Sequence, residues 1–515
     1  MFLVLAPFNY CLSKDGVINI YNKKSLNKVT KEGSTLIVKG EVDLGGKSLT
    51  IPPSCSVIFE KGYFKNGVIV CDNTFLSGNV IIKTRIHGTL RNDTIKTSWF
   101  DYEDKVLSDV FDLAEGKVVL FDGDKNYFVN YIFYIPSCVI LGNDAKITIG
   151  KIDEHSAIGK PIKIRNRHYD GCGVDSFVVN DLKFETQEDS TFLFNIMNAS
   201  HVRLINCSFA CYGEPRQCMH PLDIRGKVND LKIEHCAITN MSSCKEGGGL
   251  WLRSFGNISD VTVSNCTFRT NTTDEVFAIN AVTGDVRNVK VDSCVFKYER
   301  SETCLPPNVF WCVANRKGTK YENVTFSNNR LSSDFMPSYV VNSNKEDVIS
   351  VDRCTFVFRD FKMHREHLFT TSFNGRIDFL DNEVIVENIK QIEDSDSHVN
   401  LFSSYVKVRK SRIFNDCENC HLGAPSLYES TIVFNNSQLF NGSLPTYMVG
   451  NNITLGRETP KLAANPFCQQ KKCYWQNNTI ESKKKVEFNF LYENVEIESK
   501  NNKFENINIL GNQVK

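Results

Sequence analysis

The sequence predicts an all-β fold, a single-stranded parallel β-helix, and three observations predict it. A phrase recurs down the chain: an aliphatic residue, two further positions, Cys, a gap, then Phe or Ile. It reads Leu204-Ile205-Asn206-Cys207-Ser208-Phe209, Ile233-Glu234-His235-Cys236-Ala237-Ile238, Val263-Ser264-Asn265-Cys266-Thr267-Phe268, Val291-Asp292-Ser293-Cys294-Val295-Phe296 and Val351-Asp352-Arg353-Cys354-Thr355-Phe356. The steps from Cys207 to Cys236, Cys266 and Cys294 are 29, 30 and 28 residues. Between them run short alternating stretches separated by turn formers. A fixed period of this size, built from strand-like pieces, marks a solenoid whose units stack over one continuous core.

One coil shows the elements in order. Val261-Thr262-Val263 is a first strand, Asn265-Cys266 a tight corner, and Thr267-Phe268 opens a second strand. Asn271-Thr272-Thr273-Asp274 is a loop of turn formers. Val276-Phe277-Ala278-Ile279-Asn280 is a third strand, and Gly284-Asp285 turns into the next coil. The Cys position continues upstream at Leu182 and downstream at Asn329, Asn382, Ser411, Ser430, Asn451, Asn478 and Asn502. Asn in such a column hydrogen-bonds along the stack, whereas Cys is expected to pack there as a small hydrophobe.

Three zones follow. Residues 1–150 form an N-terminal cap and irregular coils, 151–415 the regular coils, and 416–515 short C-terminal coils and a cap. Val106 to Ala114 is the one stretch that suits a short helix. Phe2 to Phe8 lacks a basic leader and a long apolar run, so it reads as a strand or cap and not as a signal peptide.

Composition narrows the partners. Lys+Arg and Asp+Glu are both 60, and no basic tract stands out. A nucleic-acid partner is not expected, because phosphate binding needs a cationic footprint. No stretch is long enough for a membrane span. Apolar residues make up 41% of the chain and Phe alone contributes 36, enough to fill a long narrow core. There are 19 cysteines. Those that recur in register read as buried free thiols, which points to assembly in a reducing compartment.

Val42-Asp43-Leu44-Gly45-Gly46-Lys47-Ser48-Leu49-Thr50-Ile51-Pro52, Phe59-Glu60-Lys61-Gly62-Tyr63-Phe64-Lys65-Asn66-Gly67, Trp99-Phe100 and Ile135-Pro136-Ser137-Cys138-Val139-Ile140-Leu141-Gly142 form a set. Together they resemble the opening of pectate-lyase-like right-handed parallel β-helix proteins, particularly tail and tailspike proteins of phages that infect Bacteroidetes. The resemblance implies a right-handed coil with irregular ends, a polysaccharide or oligosaccharide partner, other virion proteins, and the homotrimer such proteins often form. It places the protein on a virion tail if phage-encoded, and otherwise in a secreted or cell-surface setting. Two departures stand out. The acidic, Gly-rich stretch that usually follows Trp-Phe is shortened to Asp101-Tyr102-Glu103-Asp104-Lys105. In polygalacturonase-like members two aspartates open a central strand and a third lies one coil earlier. Asp274-Glu275 matches that pair with Glu as its second member, but Gly248 stands where the third would be, and no His follows near Trp311.

The third strands line one face. Alternation predicts that Asp223 with Arg225, Trp251 with Arg253, and Ala278 with Asn280 face outward on adjacent coils. Trp311 follows on the next coil, and Glu246, Asp274 and Glu275 lie on overhanging loops. Asp223, Glu246, Asp274 and Glu275 are the candidate catalytic acids. Arg225, Trp251, Arg253, Asn280 and Trp311 are the candidate sugar contacts, because sugars stack on aromatic faces and bond to guanidinium forks. A glycosidase needs two carboxylates about 5–9 Å apart, and adjacent coils lie about 5 Å apart. A lyase needs a base beside a carboxylate, with calcium as the cation such chemistry would recruit. No other cofactor is expected. The plain alternative is that these charges solvate the outer face and pair with one another.

Cys417-Glu418-Asn419-Cys420-His421 spells a haem-attachment motif, and with Cys468 and Cys473 it offers four thiolates to zinc. The loose second spacing favours two metal-free loop pairs. His364 and His367 read as exposed loop residues. Two function classes remain open. One is a depolymerase, either a glycoside hydrolase or a polysaccharide lyase. The other is a non-catalytic adhesin or structural virion protein.

Overall fold

The computed structural model describes residues 16–29, 31–103, 105–150, 162–164, 175–187, 192–213, 220–242, 247–272, 276–299, 308–314, 319–333, 338–342, 348–359, 362–363, 367–372, 376–387, 390–391, 399–417, 420–435, 439–440, 444–456, 462–463, 472–489 and 496–510. Phe2 to Phe8 lies outside them. The chain divides into two units, Met1–Asp124 with Phe133–Asn143, and Lys125–Ile132 with Asp144–Lys515.

The N-terminal unit stacks strands in parallel, Thr35–Val38 on Ser56–Phe59 and the latter on the end of Tyr63–Gly78. Inward residues repeat at every second position, so Leu36, Val57 and Leu76 meet in register. The expected helix is present at Val106–Asp112. Its Leu107, Val110 and Phe111 are buried, and Phe111 stacks on Phe133 with ring centroids 5.5 Å apart. Asp109 is also buried. Its carboxylate accepts two bonds from Arg85, at 3.0 and 2.6 Å, and one from the Tyr102 hydroxyl at 2.7 Å.

The larger unit is an all-β parallel β-helix. Each coil has the three strands the repeat predicts, as in Ile258–Ser264, Thr267–Thr270 and Phe277–Ala281. Every one pairs in parallel with its equivalent on the next coil. The inward position two residues after the corner runs Phe184, Phe209, Ile238, Phe268, Phe296, Leu331, Phe356, Val384, Ile413, Ile432, Ile453 and Ile480 in unbroken register. Where phenylalanines are neighbours they stack: Phe268 and Phe296 lie 4.7 Å apart and 3° from parallel.

The Cys/Asn/Ser column stands in single file. The backbone N–H of Cys207 donates to Sγ of Cys236, and that of Cys236 to Sγ of Cys266. The same bond runs from Cys294 to Asn329, Asn329 to Cys354, Cys354 to Asn382, Asn382 to Ser411, Ser411 to Ser430, Ser430 to Asn451, Asn451 to Asn478 and Asn478 to Asn502. The expectation that Cys merely packs is corrected here. Each recurrent thiol also donates to a carbonyl of the preceding coil, Cys236 to Leu204 and Cys354 to Phe326, as Asn329 does to Val291. Cys is therefore a small, buried substitute for the amide in both of its bonds. The residue before each corner takes a left-handed backbone: Asn206, His235, Asn265, Ser293, Asn328, Arg353, Asp381, Lys410 and Glu429 all have φ near 50°. For a residue with a Cβ this costs roughly 1–2 kcal/mol, and the ladder bonds offset it.

Candidate functional site

The third-strand face runs through Ile162–Ile164, Phe192–Ile205, His220–Glu234, Leu250–Arg253, Phe277–Ala281 and Asn308–Ala314. Leu222, Ile224, Leu250, Leu252, Phe277 and Ile279 point into the core with no exposed surface. The intervening residues form two outer columns. One runs Asn195, Asp223, Trp251, Ala278, and the other Met197, Arg225, Arg253, Asn280; the backbone of Trp311 and Val313 continues the register on the next coil. Arg225 ends its outer run because Gly226 turns the chain with φ +83°. A Cβ there would sit 2.1 Å from Oδ1 of Asn198.

The columns bring five of the expected residues together. Oδ2 of Asp223 accepts from Nδ2 of Asn195 at 2.7 Å and from Nε of Arg225. Its Oδ1 lies 3.7 Å from Nε of Arg253. The Arg253 guanidinium lies 3.6 Å from the Trp251 ring centroid, and the His220 ring centroid lies 3.7 Å from that of Trp251. The Arg225 and Arg253 side chains keep 16% and 18% of their surface exposed. Asn280 carries a buried Oδ1 with no hydrogen-bond partner among the described residues.

Asp223 departs from expectation. Alternation places it on the outer side of the strand, but it has no exposed surface. Its oxygens face an amide and two guanidinium groups. A carboxylate so engaged organises the cations around it and does not present an oxygen to solvent. Ala278, expected to face outward, is also covered, at 7%. Trp251 is half-buried, and its π system already has two partners within the chain.

Two residues the sequence reading passed over complete the cluster, Asn195 and His220. Asn195 lies 28 residues before its partner Asp223, one coil away. That spacing was the available signal. His220 is wholly buried, and burial, reinforced by the charges of Arg253 and Arg225, holds its pKa well below the ordinary value. It is neutral at pH 7, so two guanidinium charges stand against one carboxylate.

Trp311 holds the register position beside Ala278, and its side chain lies outside the described residues, as do Glu246, Asp274 and Glu275. On the described third strands Asp223 is thus the single carboxylate near the cluster. Among the described residues one group of three potential cation ligands lies close together, His87, Asp109 and Asp112 in the N-terminal unit. Its Asp109 is already bonded to Arg85 and Tyr102.

The Cys417–His421 motif sits inside the coil. Cys417, Cys420 and His421 are buried, and Nδ2 of Asn415 donates to the carbonyls of Cys417 and Cys420 at 3.2 and 3.0 Å. Burial pushes the Cys420 thiol well above its ordinary pKa, which opposes the thiolate that a metal requires. Cys420 is registered with Val399 and Cys473 with Ile497, on different strands of different coils. Cys468 and His364 lie outside the described residues, and so does the side chain of His367.

No family model matches the chain, and no curated protein matches it. Among solved structures it is similar to PfbA, a surface adhesin of Streptococcus pneumoniae, at 13% identity over 79% of this chain and 89% of that one, with a TM-score of 0.29. It is also similar to the catalytic domain of a GH87 alpha-1,3-glucanase in complex with nigerose, at 11% identity over 98% of this chain and 70% of that one, with a TM-score of 0.23. Likenesses this distant carry no weight for the chemistry, which rests on the coil geometry above.

Proposed function

We propose that this chain is a saccharide-binding β-helix protein whose ligand lies along the third-strand face at Arg225, Trp251, Arg253 and Asn280. One observation carries the reading: two partly exposed guanidinium groups, an indole edge and an unpartnered amide oxygen stand on three consecutive coils, locked by a buried carboxylate. Guanidinium forks and amides bond sugar hydroxyls and carboxyls in fixed geometry. Rungs about 4.8 Å apart repeat at nearly the length of one sugar residue.

Binding without cleavage is the form that the described strands favour, because Asp223 is engaged by Asn195, Arg225 and Arg253. The phage tail or tailspike setting rests on the sequence resemblance and is the finer part of this proposal. The experiment is a panel of neutral and acidic oligosaccharides titrated against the full chain, with Arg253→Ala and Asn280→Ala alongside. Binding that both substitutions weaken supports the reading, and unchanged binding overturns it. Incubation with polysaccharide, scored for new reducing ends and unsaturated products, tests the depolymerase. Product formation abolished by Glu275→Gln would replace the adhesin with an enzyme whose acids lie on the loops.

A further inference from the structure

The outer face of the second strands carries a pattern with an internal two-fold. The outer position three residues after each corner runs Lys297, then Val357, Ile385, Phe414, Val433, Thr454 and Glu481, with Ser332 holding the backbone register position between Lys297 and Val357. The outer position one residue after each corner runs Val295, Arg330, Thr355, Glu383, Arg412, Thr431, Asn452, Thr479. Inversion about the midpoint returns a chemically matched partner at the central rungs and at the two ends of the first column, but not for Arg330 with Asn452 or Val295 with Thr479 in the second. Ile385 exchanges with Phe414, Val357 with Val433, and Thr355 with Thr431. The charges exchange with their opposites, Glu383 with Arg412 and Lys297 with Glu481.

This symmetry suits one occupant, a second copy of the chain. A two-fold axis parallel to the strands, passing between the Ile385 and Phe414 rungs, lays one face antiparallel on the other. It sets each Glu383 opposite the other copy's Arg412. An isologous interface has this signature, with one patch meeting itself and each charge meeting its complement. The four central apolar side chains are half-buried on the sheet's outer face, while Phe356, Val384, Ile413 and Ile432 of the same strands fill the core. Glu383 and Arg412 are exposed neighbours on adjacent rungs, and among the described residues neither forms an ion pair. Their charges are available to a partner.

We propose that the coils from Cys294 to Asn478 form an antiparallel homodimer through this second-strand face. Eight rungs span about 34 Å and a four-residue strand about 13 Å. That footprint is smaller than the roughly 800 Å² per partner of a standard stable complex, so the dimer is reversible and concentration-dependent. It is independent of the saccharide reading, which concerns another face.

Sedimentation velocity of the full chain across two decades of concentration tests it. A monomer–dimer equilibrium is expected. Glu383→Arg weakens it about tenfold or more, because like charges then face each other twice across the axis. Arg412→Glu does the same. The two substitutions in one chain restore the dimer, since the swapped pair is again complementary. Phe414→Asp abolishes it. All three positions are on the outer face, so melting curves stay near that of the parent and loss of dimer is not loss of fold. A monomer at every concentration, a three-fold assembly, a dimer indifferent to Glu383→Arg, or no restoration in the double variant overturns the proposal.

Discussion

Arg253 and Trp251 leave the same strand, and the guanidinium of the first lies 3.6 Å from the ring centroid of the second. An ammonium on a flexible stem can lie over a ring but cannot stack flat on it and fork toward a ligand at once, as a planar guanidinium does. Arg253→Lys is therefore expected to behave like Arg253→Ala. Both lose the fork toward ligand, and Arg253→Ala also loses about 1 kcal/mol of cation–π contact, so saccharide affinity falls about 5-fold or more. Tryptophan fluorescence titration reads both the affinity and the changed surroundings of Trp251. Full affinity in Arg253→Lys would show that only charge matters there.

The buried carboxylate beneath them is the structural weak point. Asp223→Asn keeps a side chain that can still bond Asn195 but removes the counter-charge of Arg225 and Arg253. Breaking a buried pair from one side costs about 3–5 kcal/mol, and the partial exposure of both arginines places the expected loss at about 3 kcal/mol. Urea unfolding followed by circular dichroism measures it. Adding Arg225→Met to Asp223→Asn is expected to recover part of the loss, because the orphaned cation goes with it. Loss of stability with no recovery would assign the effect to packing alone.

The corner ladder makes a graded prediction. Asn478 accepts from the Asn451 N–H, donates to the carbonyl of Met448 and bonds Asn502. Asn478→Ala leaves several buried groups unpaired, at about 1–3 kcal/mol for each. Cys354→Ser retains both an acceptor for the Asn329 N–H and a donor for the Phe326 carbonyl, and serine already stands at 411 and 430. It is expected to cost under about 1 kcal/mol. Burial also pushes the Cys354 and Cys71 thiols up to about 12. Alkylation at pH 8, mapped by mass spectrometry, should thus leave both unlabelled until urea opens the coils. Rapid labelling of Cys354 in native buffer would contradict its place in the ladder.

The reach of sequence reasoning can be seen residue by residue. The ladder was legible because each coil needs a small polar or thiol side chain at one inner corner, and that demand recurs every 19 to 35 residues. The helix at Val106–Asp112 was legible from its apolar spacing. The left-handed residues were legible only where Asn or Asp supplied them. Arg353, Lys410 and Glu429 take the same φ with no local preference for it, held by tertiary bonds. At the site, alternation identified the side of the strand for Asp223, Arg225, Trp251, Arg253 and Asn280. It says nothing of what covers that side, so the burial of Asp223 went unseen. Asn195 and His220 were missed because a polar residue in an apolar strand declares its partner only across a coil.

His220 gives the cluster a pH signature whose sign is fixed. Its pKa in the folded chain is held well below the ordinary histidine value of 6.5, first by burial and then by Arg253 and Arg225. The unfolded chain therefore binds a proton near pH 6.5 that the folded chain refuses. Where the unfolded state binds more protons, stability rises with pH. The contribution is complete above pH 6.5 and is lost progressively as the pH falls below it, so the melting temperature should decline on acidification from neutrality. Removing the imidazole by His220→Phe should flatten this part of the profile. Carboxylates titrating at lower pH contribute below that window and are common to both chains. Melting curves at half-unit pH intervals between 5 and 8 decide the matter: an identical slope in the parent and His220→Phe would mean that the buried imidazole is not what the acid attacks.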